Sequence, residues 1–136
     1  MAAAPPQDAL AGGQLNAAIS NAVVGTFAEY IGRGPTKART SIRDDVVFCM
    51  CENNLTKAER SLVASGREEI VLETRRAHQN TMQEILVDTV ERLTGRKVVA
   101  FMSDNHIDPD IATETFVLEP LDMEPTGPDP RGGPTA

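Results

Sequence analysis

Three carboxylates and one imidazole fall within seven residues, Asp104-Asn105-His106-Ile107-Asp108-Pro109-Asp110. Oxygen donors at alternate positions are the pattern of a calcium loop. A histidine among them could report pH or hold a metal. The run lacks the glycine of a calcium loop's sharp turn and the closing bidentate glutamate. Asp, Asn and Pro also build ordinary exposed turns, where short side chains bond to local backbone. No metal site is therefore assigned. Asp104, His106, Asp108 and Asp110 are the residues that a metal or small-ligand sensor would use.

Cys49-Met50-Cys51 places two thiols on one face of an extended segment. They could serve as two soft ligands or as a redox pair. A structural zinc site wants four ligands, and buried apolar cysteine is the commoner use of the residue. His78 follows Arg75 and Arg76, a setting that suits a switch, an anion ligand or a half-buried packing residue. No nucleophile turn, Cys/His frame or phosphate loop occurs. Neither an enzyme nor a cofactor is expected.

The strongest electrostatic feature is a stripe of Lys37, Arg39 and Arg43 at alternate positions, with Arg33 just before it. It offers a surface for an anion, an acidic partner or lipid head groups, with Arg75 and Arg76 as further candidates. The same charges would also protect an edge strand from aggregating.

These residues need a frame. Leu15, Ile19, Val23, Phe27 and Ile31 recur every four residues and predict a helix over 14–31, stopped by Gly32 and Pro35. Residues 37–43 alternate as a half-exposed strand, Asp44-Asp45 turns, and 46–51 is a continuous apolar strand. Thr56-Lys57-Ala58-Glu59 has capping-box spacing and opens a short helix to Ser65. A longer helix runs to Thr94, with a predicted buried stripe of Ile70, Thr74, Ala77, Met82, Ile85, Leu86, Thr89 and Leu93. Strands follow at 97–102 and 113–118, joined by a polar loop.

The predicted fold is α+β: a four-stranded antiparallel sheet of two hairpins, helices packed on one face, order α-ββ-αα-ββ. Phe27, Phe48, Phe101 and Phe116 would supply its aromatic core. Val98, Ala100, Met102 and Val117 share the opposite face, whose apolar character predicts a homodimer.

Composition bounds the rest. The chain has 136 residues and a formal net charge of −7, which opposes a general nucleic-acid role. No apolar run reaches the ~18–20 residues of a membrane span. With two cysteines and no basic-then-apolar opening, a cytoplasmic protein is expected. Residues 1–13 and 120–136, rich in Ala, Pro and Gly, are expected to be disordered tails around a single domain over 14–119.

Several segments together resemble one family. They are Gly34-Pro35 before the basic strand; Asp45-Val46-Val47-Phe48; Asn54-Leu55-Thr56-Lys57-Ala58-Glu59-Arg60-Ser61-Leu62; and Leu93-Thr94-Gly95-Arg96-Lys97-Val98. Ser103-Asp104, Asp110 and Thr115-Phe116-Val117-Leu118 complete the pattern. Their order and spacing resemble the MpsC-like family, long a domain of unknown function. It is named for the small third component of a bacterial cation-translocating, membrane-potential-generating system. The resemblance covers the body of the chain. It implies a soluble accessory or regulatory protein, peripheral to a membrane transport subunit. It carries over no catalytic residue.

Overall fold

The computed structural model describes residues 12–121. The elements are α1 (Gly12–Ile31), β1 (Lys37–Arg43), β2 (Val46–Glu52), α2 (Lys57–Ala64), α3 (Glu68–Thr94), β3 (Val98–His106) and β4 (Ile111–Leu118). The four strands form one antiparallel sheet in the order β1-β2-β4-β3. Each hairpin supplies one edge strand and one central strand. The expected α+β order is the one observed. The expected tails lie outside the described residues except at 12–13, which begin α1, and at 120–121.

Local chemistry sets the element ends. Thr56 accepts from the Glu59 N–H at 3.1 Å while the Glu59 carboxylate accepts from the Thr56 N–H at 2.8 Å, closing the capping box of α2. Gly95, at φ 70°, gives α3 its left-handed C-terminal cap. Gly34 is required for a different reason. A Cβ there would sit 2.7 Å from the Val24 carbonyl oxygen, so only glycine lets the loop after α1 lie back against that helix.

α1 packs on α3 and β1, α3 on β3, and α2 on α3, so the helices form one layer over one sheet face. The core lies between them: Ile19, Val23 and Phe27 of α1; Met82, Leu86 and Val90 of α3; Val47, Cys49, Cys51, Ala112, Phe116 and Leu118 of the sheet.

Three expectations are corrected. The buried stripe of α3 is Val71, Arg75, Gln79, Met82, Leu86 and Val90, while Thr74, Ala77 and Ile85 are exposed. Met82 and Leu86 are buried as expected; Arg75 and Gln79 were passed over because they are polar. Phe48 lies on the outer sheet face, since Val47, Cys49 and Cys51 take the inward positions of β2. A bulge between Val98 and Ala100 turns Val98 inward, away from Ala100 and Met102.

The strands of the second hairpin are also longer than expected. β3 continues through His106 and β4 begins at Ile111, leaving only 107–110 as the turn. Cross-strand pairing carries the polar residues Ser103 to His106 into the ladder against Glu114 to Ile111. Local sequence cannot show that gain.

Candidate functional site

The inner sheet face is built of rows that cross all four strands. One row is apolar: Ile42, Val47, Phe116 and Phe101. The next is polar on every strand: Thr40 of β1, Cys49 of β2, Glu114 of β4 and Ser103 of β3, each the register partner of its neighbour. Cys49 and Glu114, at its centre, have no exposed surface.

The helices meet this row with polar groups. Ser20 of α1 and Thr40 share a hydrogen bond of 2.8 Å. From α3, Gln79 Nε2 donates to Glu114 Oε2 at 3.1 Å and to Asn105 Oδ1 at 3.2 Å. Asn105 Nδ2 returns a bond to Gln79 Oε1 at 2.8 Å. Cys49 Sγ lies 3.9 Å from Cys51 Sγ. Glu114 Oε1 and Ser103 Oγ are buried without a hydrogen-bond partner.

Burial pushes the Glu114 carboxyl up to about 8, against the opposing pull of the Gln79 amide, so at neutral pH it is mostly protonated. The Cys51 thiol is pushed well up by the hydrogen-bonded Cys49 beside it and by burial. Cys49 and Glu114 of this row, with Cys51 beside them, are buried titratable groups.

A second buried cluster joins α2, α3 and the loop after β2. Arg75 Nε donates to Glu59 Oε2 at 2.9 Å, and its Nη2 donates to Glu59 Oε1 and to the Asn54 carbonyl oxygen, both at 2.6 Å. Arg75 is 1% exposed. Burial works against the charge of Glu59, but the Arg75 guanidinium and the Thr56 N–H hold its carboxyl below the usual range. Asp110 reaches the same loop from the far hairpin, accepting from the Leu55 N–H at 2.9 Å and Asn54 Nδ2 at 3.3 Å.

The exposed candidate is the outer face of β1. Lys37, Arg39 and Arg43 stand together there, all exposed, with Arg39 paired to Glu52 at 2.9 Å. Two of the expected cations do not join them. Arg33 is half-buried and donates to the Asn53 and Leu55 carbonyl oxygens at 2.8 and 2.9 Å. Arg75 is inside, as above. Arg76 is exposed on α3, in the helical layer on the other side of the sheet.

The acidic run does not converge on a point. Asp104 Oδ1 accepts from the Asn105 N–H, His106 Nδ1 lies 2.9 Å from the Pro109 carbonyl oxygen, Asp108 is exposed, and Asp110 turns inward. Among the described residues, no three His, Cys, Asp or Glu side chains are grouped as metal ligands.

The family described as the Na+-translocating membrane potential-generating system (MpsC) matches residues 11–120. This chain belongs to the MpsC family. YbcI of Bacillus subtilis (strain 168), described as an uncharacterized protein, is similar to it. The two are 28% identical over 95 residues, which are 68% of this chain and 75% of YbcI. No solved structure matches. No described helix is long and apolar enough to cross a membrane.

In this MpsC chain the Gln79–Glu114 contact rests on residues that a pattern search passes over. Glu114 had a signal: strand alternation puts it on the face of Phe116 and Leu118. Gln79 had none beyond helical spacing, because what buries it is the sheet, and the capping box marks Glu59 without showing that Arg75 is its partner.

Proposed function

We propose that this chain is a non-enzymatic accessory component of a Na+-translocating, membrane-potential-generating system, working in the cytoplasm beside the membrane. Membership of the MpsC family supports the system. The observation that carries the accessory role is β1, an edge strand of the sheet whose outward side chains include Lys37, Arg39 and Arg43. A strand edge unpaired among the described residues, beside clustered cations, suits an acidic segment of a transport subunit, which would add main-chain bonds and charge pairing together.

The non-enzymatic reading has its own support. Glu114, Cys49, Cys51 and Arg75 are the groups best suited to acid–base, nucleophilic or anion chemistry, and each is at most 1% exposed. A substrate would have to unpack the core to reach them. The chain acts as a homodimer through the sheet face that the helices leave open.

Affinity capture from the protein's own cells tests this, with membrane and soluble fractions kept apart. The wild type should retain an ion-transport subunit from the membrane fraction. The triple variant Lys37→Ala, Arg39→Ala, Arg43→Ala should lose it at an unchanged melting temperature. Equal capture by both proteins would reduce the stripe to a solubility feature.

A further inference from the structure

The outer face of the sheet carries apolar and charged groups in an arrangement that matches itself. Val46 and Met102 are 38% and 54% exposed, and Phe48, Met50 and Val117 are half-buried between them. All three helices lie on the other side. Cations stand along one edge, on β1, and Asp104 stands outward on the opposite edge strand, β3. Strand register places Arg39, Met50, Thr113 and Asp104 in a single row, so the cation and the carboxylate sit at the same height along the strands.

We infer that a second copy of this chain covers this face, about a two-fold axis parallel to the strands. This rests on the homodimer reading above and adds its geometry and its charge pair. Rotation about that axis lays β1 on the partner's β3 and β2 on the partner's β4, without shifting height along the strands. Arg39 then lies opposite Asp104 of the partner subunit, and the symmetry repeats the pair. At the centre Phe48 and Met50 meet the partner's Thr115 and the partner's Thr113, whose methyl groups are apolar. The aliphatic stem of Arg43 can lie along the exposed edge of β3.

The alternative axis, across the strands, lays β1 on β1. It sets Lys37, Arg39 and Arg43 against the same three cations, an arrangement that like-charge repulsion rejects. Arg39 already pairs with Glu52 at 2.9 Å. Its guanidinium has five N–H donors, so a second carboxylate can be served at once. Two sheets packed face to face keep their strands within about 30° of each other, which preserves these pairings. Four strands about 4.8 Å apart and seven residues long give a face of roughly 20 by 23 Å, at the low end for specific interfaces. The dimer is therefore weak, and its dissociation frees Lys37, Arg39 and Arg43 for the membrane partner.

A charge-swap mixing experiment tests it, read by sedimentation equilibrium over roughly 5–500 μM, a range suited to a small interface. The wild type should pass from monomer to dimer across that range. Arg39→Asp and Asp104→Arg each place like charges opposite one another twice, and each should weaken association about tenfold or more. Mixed one to one, the two variants restore both opposite-charge pairs, so the mixture should dimerise about as well as wild type. Circular dichroism and melting curves confirm that each variant is folded. A wild type that stays monomeric throughout overturns the homodimer and this geometry together. A wild-type dimer that either variant leaves intact, or a mixture that stays monomeric, overturns the geometry alone.

Discussion

Gln79 Nε2 donates to Glu114 Oε2 at 3.1 Å across the interface between α3 and the sheet. Both residues sit on faces otherwise filled by core side chains. The bond supplies one hydrogen to a carboxyl group whose second oxygen has no partner among the described residues, and no described cation pairs with it. Burial then decides the protonation state.

Glu114 makes stability depend on pH. Its folded pKa is raised to about 8, so between the unfolded value and about 8 the native state binds more protons than the unfolded chain. The contribution is full below the unfolded carboxylate value and is lost as pH rises through about 8. Glu114→Gln is neutral at every pH. It should melt near the wild type at pH 5 and above it at pH 8.5, by on the order of a few kcal/mol of stability. Denaturant titrations at the two pH values check this. Parallel wild-type and variant profiles would show that the carboxyl does not titrate as described.

Adjacent residues on α3 should behave oppositely. Arg75→Ala leaves the buried Glu59 carboxylate without its guanidinium and should cost about 3–5 kcal/mol. Arg76→Ala, on the exposed face, should stay within about 0.5 kcal/mol. Urea denaturation of both variants measures the contrast. The Glu59 carboxyl, held below its usual range, adds an acid-side effect of the other sign. Its stabilisation is present above the unfolded value and is lost as pH falls through the lowered one.

Asp110 ties the turn after β3 to the loop after β2. Asp110→Ala removes acceptors from the Leu55 N–H and Asn54 Nδ2, so it should destabilise by about 1–3 kcal/mol. Calcium or zinc should leave the melting temperature of the wild type unchanged, since a ligand of the native state would raise it. A rise with either ion that Asp104→Ala abolishes would support the sensor reading of this loop.

Much of the frame was legible in the chain. The four-residue spacing from Leu15 to Ile31, the capping box at Thr56 and the glycine stops at Gly32 and Gly95 mark the helices by local rules. The alternation of 37–43 marks an exposed strand. These signals are local because helix caps and strand pleats are satisfied within a few residues. On α3 the burial of Met82 and Leu86 was legible, but that of Arg75 and Gln79 was not. Arg75 and Gln79 look like solvent residues until Glu59 and Glu114, distant in sequence, supply their partners.

By itself the sequence determined the order of elements, the two hairpins, the shared face of the two thiols and the cationic side of β1. Each follows from backbone periodicity and turn chemistry. Only the tertiary structure decided that β2 and β4 are neighbours, and with that the polar row of Thr40, Cys49, Glu114 and Ser103. It also decided which cations are spent inside and which stay on the surface. Strand order and charge pairing are set by contacts between distant segments, and the cost of an unpaired buried charge enforces them.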